Sequence, residues 1–254
     1  MTTWIGTSWK MNKSLEQARH YAQVLAATDA DRWPGIQSFV LPPATALAGV
    51  HEVLGPDSKV LLGAQNAHWE DAGPWTGEIS VPQVADAGAQ IVEIGHSERR
   101  EHFGETDETV NLKVRATLRH GLTPLVCVGE PVEIFNSGGS IGYVLDQLRA
   151  ALDGVDDVGD VLIAYEPIWA IGEGGRAATP ADISAVFTAM RKDVGGSARA
   201  MLYGGSVDAG NAVETLEVSG VDGLFIGRAA WEVEGFLGIL DLVALRARKR
   251  CESG

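Results

Sequence analysis

Val161-Leu162-Ile163-Ala164-Tyr165-Glu166-Pro167 is a short apolar run closed by a carboxylate and a proline. It is too short for an independent helix and too apolar for a loop, so it reads as a buried strand over Val161–Tyr165 that stops where proline locks φ. Runs of the same kind recur at Trp4–Trp9, Gln37–Leu41, Lys59–Ala64, Gln90–Ile94, Thr123–Val128, Ala200–Tyr203 and Gly223–Ile226, giving eight candidate strands in all. Amphipathic stretches lie between them, among them Ser14–Ala27, Thr109–His120 and Ile141–Leu152, where Ile141, Leu145, Leu148 and Leu152 recur at helical steps. Ser14 followed by Gln17 has the pattern of a capping box and is expected to start the first helix. Strand–helix alternation from end to end predicts an α/β fold with a parallel sheet. No GxGxxG follows the first strand, so a closed (β/α)8 barrel is favoured over a doubly wound sheet, as a single domain over residues 1–254.

Composition agrees with a self-sufficient core. The chain has 254 residues, 45% of them hydrophobic and 21% charged, which is ordinary for a globular domain of this size. With two cysteines, Cys127 and Cys251, neither a disulfide framework nor a four-cysteine metal site is expected. The start, Met1-Thr2-Thr3-Trp4, has no basic segment leading into an apolar run, so the expectation is a soluble, cytoplasmic protein. A formal charge of −14 makes nucleic acid and anionic membrane poor partners. It would repel a phosphorylated metabolite as well, unless backbone N–H groups and a few cations make a local positive site.

In a barrel of this type, catalytic side chains stand at the C-terminal ends of the strands. Lys10 follows the first strand in Ser8-Trp9-Lys10-Met11-Asn12, His96 follows the fourth in Gly95-His96-Ser97-Glu98-Arg99-Arg100, and Glu166 follows the sixth. Taken singly, each has a plainer reading: a solvated lysine, a structural histidine, an ion-paired carboxylate. Together they would converge on one barrel mouth as a cation, a polarising donor and a base, a set suited to moving a proton next to a carbonyl.

Five segments in order resemble the triosephosphate isomerase family: Trp9-Lys10-Met11-Asn12, Gly95-His96-Ser97-Glu98-Arg99-Arg100, Phe103-Gly104-Glu105-Thr106-Asp107-Glu108, Tyr165-Glu166-Pro167 and Tyr203-Gly204-Gly205-Ser206-Val207. The resemblance implies an isomerase of a small phosphorylated sugar that needs no metal and no nucleotide cofactor. It assigns Glu166 as the base at carbon, neutral His96 as the group polarising the carbonyl, and Lys10 as the stabiliser of enediolate and phosphate, with Glu98 as the partner of Lys10. It makes Pro167–Thr179 a lid, places the backbone N–H groups near Gly172, Ser206 and Gly227 around the phosphate, and makes the loop bearing Trp75 and Thr76 the contact of a homodimer. Cys127 is expected to pack, not to react.

Three departures from the family pattern gather where the ligand is expected. Thr7-Ser8 stands in place of Gly-Asn, Gly227-Arg228 in place of Gly-Gly, and the segment between Gly172 and Thr179 is one residue longer, with Glu173 and Arg176 in it. Arg228 and Glu173 are expected to meet when the lid closes. The stretch Gly6-Thr7-Ser8-Trp9-Lys10 resembles the branch of the family that isomerises erythrulose phosphates, and the smaller Ser8 would leave room for one more hydroxymethyl group. The expected reaction is therefore L-erythrulose 1-phosphate to D-erythrulose 4-phosphate, with triose phosphate isomerisation as the alternative. A non-catalytic sugar-phosphate sensor would not need Lys10, His96 and Glu166 together.

Overall fold

The computed structural model describes residues 2–28, 30–171 and 178–252. Eight parallel strands close into a barrel in chain order: β1 Thr3–Ser8, β2 Ile36–Leu41, β3 Leu61–Ala64, β4 Ile91–Ile94, β5 Thr123–Val128, β6 Leu162–Tyr165, β7 Ala200–Tyr203 and β8 Gly223–Ile226. The ring is sealed by β1, which pairs with both β2 and β8. β5, β7 and β8 run over the residues expected, and the others differ at an end by two residues or fewer. Trp9 lies beyond the end of β1, because Lys10 turns into the left-handed region at φ 52° and ends the ladder.

Helix starts follow local capping chemistry. Ser14 accepts from the Gln17 backbone while the Gln17 side chain accepts from the Ser14 N–H, and the helix Leu15–Ala27 begins there. The helix expected at Thr109 begins two residues earlier, as Asp107–Arg119, because Thr106 is its cap and Asp107 and Glu108 favour the positive end of the helix.

Alternation along the strands divides the apolar residues into two cores. Val92 and Ile94 of β4 face outward into the large core beneath the helices, and Ile91 faces into the barrel. The barrel interior carries an aromatic column in which Phe39 lies 6.3 Å from Trp4 and stacks on Phe225 at 5.9 Å, between ring centroids. Gly6 makes the column possible, since a Cβ at that position would fall on the Phe39 ring. Cys127 is fully buried in this interior, and burial pushes its thiol well above its ordinary pKa, with the charge of Glu166 adding to the effect. It packs, as expected, and is no nucleophile.

Candidate active site

A cavity of about 440 Å³ opens at the C-terminal mouth of the barrel. Ser8, Lys10, His96, Glu98, Glu166, Ser206, Gly227 and Arg228 all line it, so residues drawn from five strand ends meet in one place. Gly172 and Glu173 lie outside the described residues, as does the tip of the segment expected to be a lid.

The left-handed backbone of Lys10 is unusual for a residue with a side chain and costs on the order of 1–3 kcal/mol. Gln65 holds it, its side-chain amide donating to the Lys10 carbonyl at 3.0 Å and to the Leu41 carbonyl at 2.9 Å. The ammonium is thereby aimed at the mouth, where it donates to Glu98 Oε1 at 2.6 Å. Burial works against ionisation of Glu98, but the Lys10 hydrogen bond and the neighbouring charges outweigh it and hold the carboxyl below its ordinary range.

His96 caps the helix Ser97–Phe103. Its Nδ1 accepts the Glu98 backbone N–H at 3.1 Å, an acceptor role that only a neutral ring can fill. The proton therefore sits on Nε2, and this nitrogen lies 3.7 Å from Glu166 Oε2. Both side chains are almost fully buried. Glu166 is positioned by backbone pairing, its N–H donating to the Val128 carbonyl at 2.8 Å beyond the end of the β5–β6 ladder. Its buried Oε2 has no hydrogen-bond partner among the described residues.

The chain after Glu166 is anchored by Glu130, which sequence reasoning passed over. Glu130 Oε1 accepts from Tyr165 at 3.0 Å, Trp169 Nε1 at 2.9 Å and Ser140 at 2.9 Å, tying the 3-10 turn Ile168–Ala170 to the loop beyond β5. A carboxylate just past a strand end, in Val128-Gly129-Glu130-Pro131, was the available signal. A second missed residue is Glu93, the charged position in the apolar run Ile91-Val92-Glu93-Ile94. It is 3% exposed and accepts the Ser8 hydroxyl on Oε2 at 2.8 Å. Burial pushes its carboxyl up to about 7, a rise that His96 and Lys10 moderate and Glu166 reinforces.

Ser206 does not stand as expected. Its backbone N–H donates to the Ala170 carbonyl at 3.2 Å and its hydroxyl to the same oxygen at 2.5 Å. Both donors are thus committed to joining the loop after β7 to the turn after β6, in place of facing an anion. Gly227 opens the 3-10 turn Arg228–Ala230 at the rim, with the exposed Arg228 beside it. The loop after β3 stacks His68 on Trp69 at 4.1 Å and on Trp75 at 4.4 Å, leaving Trp75 45% exposed and Thr76 exposed next to it. Among the described residues, no group of three His, Cys, Asp or Glu could hold a metal ion, and no helix is long and apolar enough to cross a membrane.

The triosephosphate isomerase family model matches residues 3–243, and the chain belongs to that family. Within it, the chain is 54% identical to L-erythrulose-1-phosphate isomerase of Mycolicibacterium smegmatis over 250 residues, covering 97% of this chain and 95% of that protein. The proteins of the same name from Brucella melitensis, 50% identical over 252 residues (96% of this chain, 98% of that protein), and Rhizobium etli, 51% identical over 251 (96% and 93%), are similar along their length.

Proposed function

We propose that this chain interconverts L-erythrulose 1-phosphate and D-erythrulose 4-phosphate at the mouth of the barrel, without a metal or nucleotide cofactor. The observation that carries the chemistry is the meeting, within one cavity, of an unpartnered Glu166 carboxylate oxygen, the Nε2–H of a neutral His96 and the Lys10 ammonium. Relatives of the same length that bear the erythrulose-phosphate name support the substrate.

The steps follow from the geometry. Glu166 removes the proton on C3 of L-erythrulose 1-phosphate, next to the C2 carbonyl, and an enediolate spreads over both carbons. His96 donates Nε2–H to its oxygens, and Lys10 stabilises the negative charge. Glu166 then returns the proton to C2 while a hydroxyl proton passes from O3 to O2. The carbonyl ends on C3, which is C2 of D-erythrulose 4-phosphate counted from the other end. Gly227 and Arg228 line the rim where the phosphate would lie. Ser206 reaches the phosphate only if it releases Ala170.

The test is a comparison of kcat/KM for L-erythrulose 1-phosphate and dihydroxyacetone phosphate. The contact with one extra hydroxymethyl group sets the scale of the expected preference for the tetrulose at roughly 10- to 200-fold. A preference of that size for the triose overturns the substrate assignment and leaves triose phosphate isomerisation in its place.

The same reading includes a cytoplasmic homodimer. Met11 (97% exposed) and Trp75 (45%) stand on the loops after β1 and β3, Phe103 (70%) ends the helix Ser97–Phe103 after β4, and apolar exposure of this kind is characteristic of a protein contact. Light scattering of the purified protein is expected to give twice the chain mass, and Trp75→Glu to give monomers. A fully active monomer in the unaltered protein contradicts the dimer.

A further inference from the structure

The mechanism above leaves one polar pair under the reacting atoms without a task. Glu93 stands two residues after the inward-facing Ile91 on β4 and shares its face, so its carboxylate points into the barrel, beside Leu125 of β5 in the ladder. An apolar side chain at this position would avoid the cost of burying a carboxylate, so its presence asks for a compensating use. What it touches is Ser8, and Ser8 lines the cavity together with Lys10, His96 and Glu166.

A serine hydroxyl has a single proton and two lone pairs. When Glu93 is ionised, the Ser8 proton goes to its Oε2 at 2.8 Å, and the face of Oγ turned to the cavity can only accept. An acceptor at that point attracts a hydroxyl group and repels a carbonyl or phosphate oxygen. A triose phosphate and a four-carbon ketose phosphate share the carbons that react and differ by one terminal hydroxymethyl group, which is a hydrogen-bond donor. We propose that Glu93 is a specificity-determining positioning residue, which holds the Ser8 proton so that Ser8 Oγ accepts the terminal hydroxyl of a four-carbon ketose phosphate. This rests on the substrate assignment above and deepens it. Glu93 acts through Ser8 and does not itself touch the substrate.

The experiment measures kcat and KM for L-erythrulose 1-phosphate and dihydroxyacetone phosphate in the unaltered enzyme, Glu93→Leu and Glu93→Gln. Leucine frees the Ser8 proton, and the ratio of kcat/KM, tetrulose over triose, is expected to fall about 10-fold or more, mainly through a higher KM for the tetrulose. Glutamine keeps an oxygen able to accept from Ser8, and its ratio is expected to stay within about threefold of the unaltered enzyme. Triose turnover in the same preparations reports whether each variant has folded. A Glu93→Leu enzyme that keeps its ratio overturns the proposal, and so does a parallel loss of both substrates in the two variants or a Gln variant as unselective as the Leu variant. An unaltered enzyme that prefers the triose overturns the substrate assignment first, and this proposal with it, so the two failures are distinct.

Discussion

Glu166→Gln is expected to lower kcat by about 10³-fold or more while the barrel stays folded, and Glu166→Asp by about 10²-fold. Glutamine matches the shape of the side chain and cannot take a proton from carbon. Aspartate keeps the carboxylate but draws it back by about one bond length, a displacement that positioned chemistry tolerates poorly. Neither change should harm stability, because Glu166 is 5% exposed, its Oε2 has no partner among the described residues, and its place is fixed by the backbone bond to Val128. Removing the charge relieves a desolvation cost, so the Gln variant should melt at or above the temperature of the unaltered protein. Steady-state kinetics beside a thermal melt decides the matter. Turnover within a few fold of normal in the Gln variant removes Glu166 from the role of base.

Gly129→Ala is expected to disable the same carboxylate without touching it. Gly129 follows β5, and a Cβ there would overlap the Glu166 carbonyl oxygen, standing 2.6 Å from the Glu166 carbonyl carbon and 3.3 Å from the Pro167 nitrogen. All three neighbours are backbone, so no side chain can rotate away, and the end of β6 must move with Glu166 on it. A displacement on the order of 1 Å would cost about 10²-fold in kcat, with overpacking taking about 1–3 kcal/mol from stability. Gly142→Ala is the control, because nothing lies within 4 Å of its Cβ and it sits in the helix Ser140–Ala151. That variant should keep full activity and gain slightly in stability. An active Gly129→Ala enzyme would mean that the mouth of the barrel yields more readily than its backbone contacts imply.

What was legible in the chain divides along a physical line. Strands and their ends could be read because apolar runs, Pro167 and the capping pair Ser14–Gln17 act within a few residues of themselves. Lys10, His96 and Glu166 could be read because a barrel places strand ends at a common mouth, whatever the details of packing. Glu93 escaped because its meaning depends on parity: whether the third residue of β4 faces the helices or the interior is known only once Ile91 and Val92 have been assigned to opposite cores. Glu130 escaped because its three donors, Ser140, Tyr165 and Trp169, come from segments up to 39 residues away. The bonds of Ser206 to Ala170 escaped for a related reason. A backbone N–H in a glycine-rich loop looks available to an anion until a carbonyl as distant in sequence as Ala170 is seen to occupy it.

The aromatic column gives the cavity an adjustable floor. Phe225 belongs both to the barrel interior and to the lining of the cavity, and it rests on Phe39, which fits only because residue 6 has no side chain. The depth available to a substrate is therefore set by Phe225 and by Phe39 behind it, positions that take no part in the chemistry. Trimming Phe39 would let the floor sink while the rim, with Lys10, His96 and Glu166 on it, keeps its geometry. A route to longer ketose phosphates then leads up from the core, and a library confined to the visible mouth of the barrel would not contain it.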